Sequence, residues 1–162
     1  MNPCPCGWAG DPSGRCGCSA EMVHRYRAKL SGPLMDRIDL QLAVPRLPPQ
    51  DMRPDAPRGE ASAPVRERVL AARERQFARG GTLNAHFNQA QTEAHCLLAP
   101  RDQALLESAM ESLQLSARAM HRILRVARTI ADLAASDAIA TAHLAEALGY
   151  RLLDRGAAGQ TA

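Results

Sequence analysis

The sequence is poor in aromatic residues and in lysine, and it has no long apolar run. Aromatic side chains make up 3% of its 162 residues, and Lys29 is its only lysine. The hydrophobic fraction of 46% still indicates a globular protein, built from helices that pack through small side chains. No apolar stretch approaches the roughly 20 residues that span a bilayer, and no charged region precedes an apolar one at the N-terminus. We therefore expect a cytoplasmic protein that has no membrane partner.

The G-x-x-x-x-G-K-[ST] phosphate loop of nucleotide-hydrolysing proteins is also missing, as is an apolar run that ends in paired acids. We therefore do not expect the chain to hydrolyse ATP by itself. Charge is nearly balanced, with 20 basic and 17 acidic residues, so no strong electrostatic field favours nucleic acid. Composition alone thus leaves open whether the chain belongs to an enzyme.

Four of the five cysteines form two C-x-C pairs in a loop rich in Pro and Gly. The pairs are Cys4 with Cys6 and Cys16 with Cys18. Four thiolates can close a tetrahedral zinc site, which would stabilise a loop that has no core of its own. The usual zinc knuckle is C-x-x-C, so reduced, unliganded thiols are the alternative. Cys96 lies in an apolar setting and is expected to be a small core residue.

Arg37 stands where a turn at Gly32-Pro33 leads into the alternating apolar segment 38–44. The alternation predicts a strand, with the arginine at its mouth. A guanidinium is permanently charged and its fork of donors suits phosphate oxygens. The alternative interpretation is a surface ion pair with Asp36 or Asp39, which would have little energetic value.

The remaining elements are predicted to be helical, apart from a Pro-rich linker. Ser19 is a typical N-cap for the first helix, on which His24 is expected to face solvent. Residues 82–99 are polar and are expected to be irregular. Further amphipathic helices are predicted over 63–77, 102–113, 117–135 and 141–152, and the last three form a small bundle.

Ser116 is expected to cap the helix over 117–135. Arg122, Arg125 and Arg128 on this helix are expected to lie mostly on a solvated or interface face. Its predicted core face consists of Ile123, Leu124, Val126, Ala127, Ile130, Ala131, Leu133 and Ala134.

Three blocks in this order carry a family resemblance. They are Met1-Asn-Pro-Cys-Pro-Cys-Gly7, Ser31-Gly-Pro-Leu-Met-Asp-Arg-Ile-Asp-Leu40 and Leu115-Ser-Ala-Arg-Ala-Met-His-Arg-Ile-Leu-Arg-Val-Ala-Arg-Thr-Ile-Ala-Asp-Leu133. Together they resemble the C-terminal part of the magnesium-chelatase-like AAA+ ATPases, the YifB/ComM group. The likeness runs from Asn2 to about Arg155.

The resemblance implies a mainly α fold that begins with the C-terminal edge of an AAA+ α/β core. That edge consists of one strand, one helix and the Cys-rich loop, and it is followed by a linker and a helical lid. The implied boundaries are 1–45 for the core, 46–62 for the linker, 63–155 for the lid and 156–162 for a disordered tail. The phosphate loop is expected upstream of Met1.

The resemblance also implies roles for three residues. Asn2 corresponds to sensor 1, which orients the attacking water or the γ-phosphate, although Asn before Pro is also a common turn residue. Arg37 corresponds to the arginine finger that reaches into a neighbouring subunit. Arg118, in the first turn of the longest helix, corresponds to sensor 2. The implied assembly is a ring, usually a hexamer, that binds ATP with Mg²⁺ and acts on DNA in helicase-like branch migration during competence.

Two other hypotheses compete with this one. The chain is alternatively a standalone, zinc-stabilised helical module that binds DNA or a protein without nucleotide. The other competing hypothesis is a truncated product that misfolds because the strand at 38–44 is left as an unpaired edge. A phosphate loop in frame before Met1 would support the ATPase hypothesis over both.

Overall fold

The computed structural model describes residues 1–42 and 44–151, and within these ranges its regular secondary structure is helical. The mainly α fold class is confirmed, and no described helix is long and apolar enough to cross a membrane. The predicted tail over 156–162 and the last residue of the fourth predicted amphipathic helix, Leu152, lie outside the described ranges. The seven helices are α1 (Ala20–Arg27), α2 (Gly32–Met35), α3 (Ser62–Gly80), α4 (Gln89–His95), α5 (Pro100–Ser112), α6 (Ala117–Leu133) and α7 (Thr141–Gly149).

The described chain divides into two compact units. The first contains Met1–Ile38 and Val44–Ala56, and the second contains 39–42 and 57–151. In the first unit the Cys-rich loop leads into α1, whose N-terminus is capped because the hydroxyl of Ser19 accepts a hydrogen bond from the amide of Met22. Cys4 is the only fully buried side chain among the described residues of this unit. A unit this poor in apolar burial needs another source of stability.

The second unit has a hydrophobic core centred on α6. Helices α3, α4 and α7 pack against α6, and α5 packs against α7. Alanines on α6 and α7 let the helix backbones approach closely, as the shortage of aromatic residues predicts. The buried core consists of Phe87, Cys96, Leu106, Ile123, Ala127, Ala131, Ile139, Leu144, Ala147 and Leu148.

Helix α3 contacts this core only through its C-terminal half. Residues 62–71 are all exposed, and Ala72 and Gln76 are the first side chains to be buried. The helix ends as the Gly80-Gly81 pair predicts, because Gly81 adopts a φ of 68° and its amide donates to the carbonyl of Phe77.

The expectation that 82–99 is irregular is wrong. A short 3₁₀ turn covers Asn84–His86, and α4 follows it. Asn88 and Gln91 form a capping box in which each side chain accepts a hydrogen bond from the other residue's amide. The segment is held both by apolar contacts of Phe87 and Cys96 with the core and by capping and buried hydrogen bonds, which account for its polar residues.

The predicted strand over 38–44 is also not formed among its described residues, which leave out Ala43. Only an isolated parallel bridge remains, between Gln41 and Arg151, where the amide of Gln41 donates to the carbonyl of Tyr150 at 2.8 Å. A strand needs extended neighbours on its edges, and the described chain provides none. The alternating apolar side chains Ile38, Leu40, Leu42 and Val44 are therefore exposed.

The α6 pattern predicted the core face correctly in its middle and incorrectly at its end. Ile123, Ala127 and Ala131 are buried as expected, whereas Leu133 is 46% exposed and Ala134 is exposed. Leu133 follows the buried Ala131 by two residues, or about 200° around the helix, and so faces away from the core, while Ala134 is the C-cap beyond the last helical residue.

Candidate functional site

The four cysteines of the N-terminal loop converge on one point. All four Sγ atoms lie within 4.8 Å of one another, and Cys4 is 3.3 Å from Cys6 and 3.8 Å from Cys16. Four Zn–S bonds of about 2.3 Å in a tetrahedron place the sulfur atoms about 3.8 Å apart. None of the cysteines is in a disulfide. The cluster therefore has the donor set and the spacing of a tetrahedral metal site.

The loop backbone arranges this cluster. The amide of Gly7, which has a φ of 81°, donates to the carbonyl of Cys4 and closes a tight turn between the first two cysteines. The amide of Ala9 donates to the Cys4 sulfur at 3.3 Å. An amide that points at a sulfur favours the thiolate, which is the form that binds metal.

The thiols in the cluster differ in acidity. Burial raises the pKa of Cys4, but hydrogen bonds from Cys6, the Ala9 amide, Cys16 and Cys18 outweigh burial and lower it to about 6. A hydrogen bond from the Cys6 amide lowers the pKa of Cys18, yet its thiol contacts with Cys6 and Cys4, burial and the Cys4 charge raise it to about 11. The Cys4 thiolate therefore forms readily at neutral pH, whereas the Cys18 thiol needs a bound cation to lose its proton.

Asn2 and Arg37 both lie in the first unit. Asn2 is exposed next to the Cys turn, and a Cβ placed on Gly7 would be 3.7 Å from its Nδ2 atom. Arg37 follows α2, the one-turn helix that forms at the predicted turn and is capped by the Ser31 hydroxyl. Its amide donates to the carbonyl of Leu34, and its side chain is exposed.

The alternative interpretation of Arg37, a surface ion pair with Asp36 or Asp39, is not found among the described residues. Asp39 pairs instead with Arg122, and no salt bridge of Arg37 occurs among residues 1–42 and 44–151. The guanidinium of Arg37 is therefore available to a group outside this part of the chain.

Arg118 lies in the second unit, in the first turn of α6. Ser116 caps that helix, since its hydroxyl accepts a hydrogen bond from the amide of Ala119 at 3.2 Å. Arg118 is exposed and forms no salt bridge with any described residue. Its charge thus adds to the positive end of a helix of 17 residues, a place that favours anions.

A buried ionic network at the other end of α6 was missed. Arg128 was expected, with Arg122 and Arg125, to lie on a solvated or interface face, but it is buried inside the unit with 3% exposure. Its guanidinium donates to the carbonyls of Ser136 and Asp137, at 2.6 and 2.8 Å, which holds the turn after the helix.

Asp132 joins this network to the rest of the unit. Its carboxylate, also 3% exposed, lies 3.1 Å from Arg128 and accepts hydrogen bonds from Arg79 on α3 and from Asn84. In the sequence, the only sign of this buried pair was the i, i+4 spacing of Arg128 and Asp132. Exposed ion pairs on helices have the same spacing, so it does not indicate burial. The network therefore joins α3, the Asn84 turn and the end of α6 within the second unit.

Two family models match the chain in succession. Residues 1–52 match magnesium chelatase, subunit ChlI, and residues 59–151 match magnesium chelatase, subunit ChlI C-terminal. The chain therefore belongs to the magnesium-chelatase family, and the resemblance carried by the three motif blocks is confirmed.

Individual members of this family are similar to the chain over most of its length. The chain is 47% identical over 155 residues to the competence protein ComM of Haemophilus influenzae and 45% identical to the uncharacterised protein YifB of Escherichia coli, with 96% of the chain covered in each case. An uncharacterised protein of Mycobacterium tuberculosis is 37% identical over 154 residues, or 93% of the chain. The chain spans about 30% of the length of each of these relatives.

Proposed function

We propose that this chain is the sensor and lid part of an ATP-hydrolysing ring of the magnesium-chelatase family. The observation that supports the proposal best is the state of Arg37 and Arg118. Both are exposed and form no salt bridge among the described residues, whereas six other arginines of this part of the chain are paired with carboxylates, namely Arg25, Arg68, Arg75, Arg79, Arg122 and Arg128. An arginine that binds phosphate must be kept free of internal ion pairs, because a pair would have to break before the anion is bound.

Each of the three residues has a distinct task in the proposed mechanism. Arg37 reaches the γ-phosphate of ATP in the neighbouring subunit and stabilises the charge that develops on the transferring phosphoryl. A trans arginine of this kind contributes about 10³ to 10⁵ in rate in well-studied GTPases. Arg118 binds the same phosphate from the lid of its own subunit, and Asn2 orients the attacking water. Residues outside this chain hold the Mg²⁺ that accompanies ATP.

The work done by the ring is proposed to be movement along DNA in the cytoplasm, in a hexamer. The support for DNA is the relationship to a protein named for competence, together with the motif blocks of the YifB/ComM group. The alternative is a zinc-stabilised module that binds DNA or a protein without nucleotide. That alternative is favoured by the Cys cluster.

Zinc is the metal we propose for the Cys4, Cys6, Cys16 and Cys18 cluster. Four sulfur donors at tetrahedral spacing suit Zn²⁺, and the ion would supply structural cross-links to a unit with little apolar core. The measurement is the zinc content of the purified chain together with its thermal melting. We expect one zinc per chain, and a lower melting temperature of the first unit after chelation. A chain with no zinc after expression in zinc-supplemented medium would contradict the assignment.

The ATPase proposal is tested in a protein that joins this chain to a phosphate-loop segment. Arg37→Ala should abolish turnover while nucleotide still binds, and mixing with an Arg118→Ala protein should restore part of the activity, because each mutant supplies the residue that the other lacks at some interfaces. Arg53→Ala, which removes an equally exposed charge of the first unit, is the matched control. Unchanged turnover in Arg37→Ala would make Arg37 a surface residue and would favour the nucleotide-independent module.

A further inference from the structure

The sole tryptophan of the chain lies in the Cys-rich loop and is only partly covered. In a sequence with two tyrosines and two phenylalanines, Trp8 would be expected to fill the core, as Phe87 does. Instead it lies between the two C-x-C pairs in the first unit. Because the large Trp8 ring fills no core, its position indicates a role at the surface of the first unit.

Two arginines converge on this ring from different parts of the chain. The Cζ atom of Arg15 lies 5.0 Å from the ring centroid, and that of Arg46 lies 4.8 Å from it. Both distances are within the range of cation–π contacts. Arg46 is far from Trp8 in sequence, so the first unit brings the cluster together by folding.

The two guanidinium groups keep their charge available. Both arginines are exposed, and neither forms a salt bridge with a described residue. Both guanidinium groups act electrostatically on the carboxylate of Asp11, which accepts a hydrogen bond from the amide of Ser13 at 2.8 Å. Its hydrogen bonds from Ser13, and to a smaller degree the charges of Arg46 and Arg15, lower the pKa of Asp11, so it stays ionised and offsets part of the positive charge. One unit of excess positive charge remains around an accessible aromatic ring.

We infer that Trp8, Arg15 and Arg46 form a contact surface for a single-stranded nucleic acid. Such a strand offers phosphates for the guanidinium groups and unstacked bases for the ring and for the planar guanidinium faces. An acidic polypeptide would use the charges and leave the ring without a function, and a duplex keeps its bases stacked inside. The inference deepens the proposed function, because it names the surface through which a DNA-acting ring would hold a strand. Its test requires no ATP.

The tryptophan itself reports on the site, since no other residue of the chain contributes indole fluorescence. The full chain, with zinc present, is titrated with an oligothymidylate of about 15 nucleotides, a length within the range that single-strand-binding domains cover. We expect saturable quenching of the Trp8 emission. An oligouridylate should quench similarly, because DNA and RNA single strands share this chemistry, whereas polyglutamate should have no effect.

Variants separate the cluster from the general charge of the chain. Binding is followed with a labelled oligonucleotide, so that altered tryptophan emission does not interfere. The double variant Arg15→Ala/Arg46→Ala should bind at least tenfold more weakly. Its slope of log K against log salt should be smaller by about 1.4, or 0.7 for each lost phosphate contact. Arg53→Ala/Arg58→Ala removes the same charge from two exposed arginines that are not cation–π partners of the ring, and it should bind like the wild type.

The ring is tested by Trp8→Phe, which keeps an aromatic face and should retain most of the affinity, and by Trp8→Ala, which should lose it. The inference is overturned if no single strand quenches the emission, if both arginine double variants lose affinity equally, or if polyglutamate binds as well as the oligonucleotide. In each of these cases the cation–π contacts serve only to hold the loop together. Loss of the inference with intact ATP turnover would leave the proposed ATPase role standing.

Discussion

Replacement of Asp132 by alanine should destabilise the second unit more than any other single loss of charge. The carboxylate is buried, and it is paired with Arg128, which is equally buried, and with Arg79, whose side chain is 22% exposed. Removing one partner of a buried pair leaves an uncompensated charge and costs about 3–5 kcal/mol. Arg128 keeps two carbonyl acceptors, which favours the lower end of that range. The lost hydrogen bond from Asn84 adds about 1 kcal/mol.

The expected total is therefore about 4 kcal/mol, a large part of the 5–15 kcal/mol that stabilises an ordinary domain. For a unit of this size, about 4–8 °C per kcal/mol corresponds to a melting temperature lower by at least about 15 °C. Urea and thermal unfolding of the full chain, followed by circular dichroism, measure both quantities. The matched control is Asp137→Ala, which also removes an arginine partner, Arg75, but whose carboxylate is fully exposed and should change nothing measurable. A loss below about 1 kcal/mol in Asp132→Ala would refute the view that this network orders the bundle.

Three further outcomes are expected. Gly80→Ala should destabilise the second unit by about 1–3 kcal/mol in urea unfolding, because its Cβ would lie 2.9 Å from the Phe87 ring, whereas Gly59→Ala, which meets nothing within 4 Å, should be neutral; equal effects would contradict this. Cys96 should resist alkylation at pH 8 in the folded chain, since burial raises its pKa to about 11, and labelling at the rate of the loop thiols, measured by mass spectrometry, would show that it is accessible. Zinc affinity should fall as pH is lowered from 8, because binding displaces a proton from Cys18, and should fall more steeply below about 6, where the Cys4 thiolate is also protonated; a titration with a competing chelator that shows constant affinity from pH 8 to 5 would argue against thiolate ligands.

The helices were largely predictable because their signals are local. Ser19 and Ser116 cap helices where expected, and the stripe through Ile123 and Ala127 on α6 is the face that is buried. Helix α4 was missed because Asn88 and Gln91 form a reciprocal cap within a segment that has no apolar period. Such a cap is a pattern of two polar residues, and hydrophobic periodicity does not detect it.

The candidate site was predictable only where its residues lie close in sequence. The two C-x-C pairs are nine residues apart, and a Pro- and Gly-rich loop brings them together as expected. The convergence of Arg46 on Trp8 and the pairing of Arg122 with Asp39 depend on tertiary folding, which no local spacing encodes. The prediction of a strand at 38–44 was wrong for a related reason. Alternating apolar residues specify which side chains share a face, but a strand forms only where neighbouring strands pair with it.

The exposed N-terminal half of α3 has a consequence for local opening. Among its described residues none from 62 to 71 is buried, so these amides depend on the helix alone for protection, and an unsupported helix of about ten residues is marginal in water. From Ala72 onward the same helix is fixed to α6 and should exchange hydrogen only when the unit unfolds. One continuous helix should therefore show a steep step in hydrogen exchange near its middle. A partner that covers the first half would remove that step, so the exchange profile along α3 measures directly whether this surface is occupied.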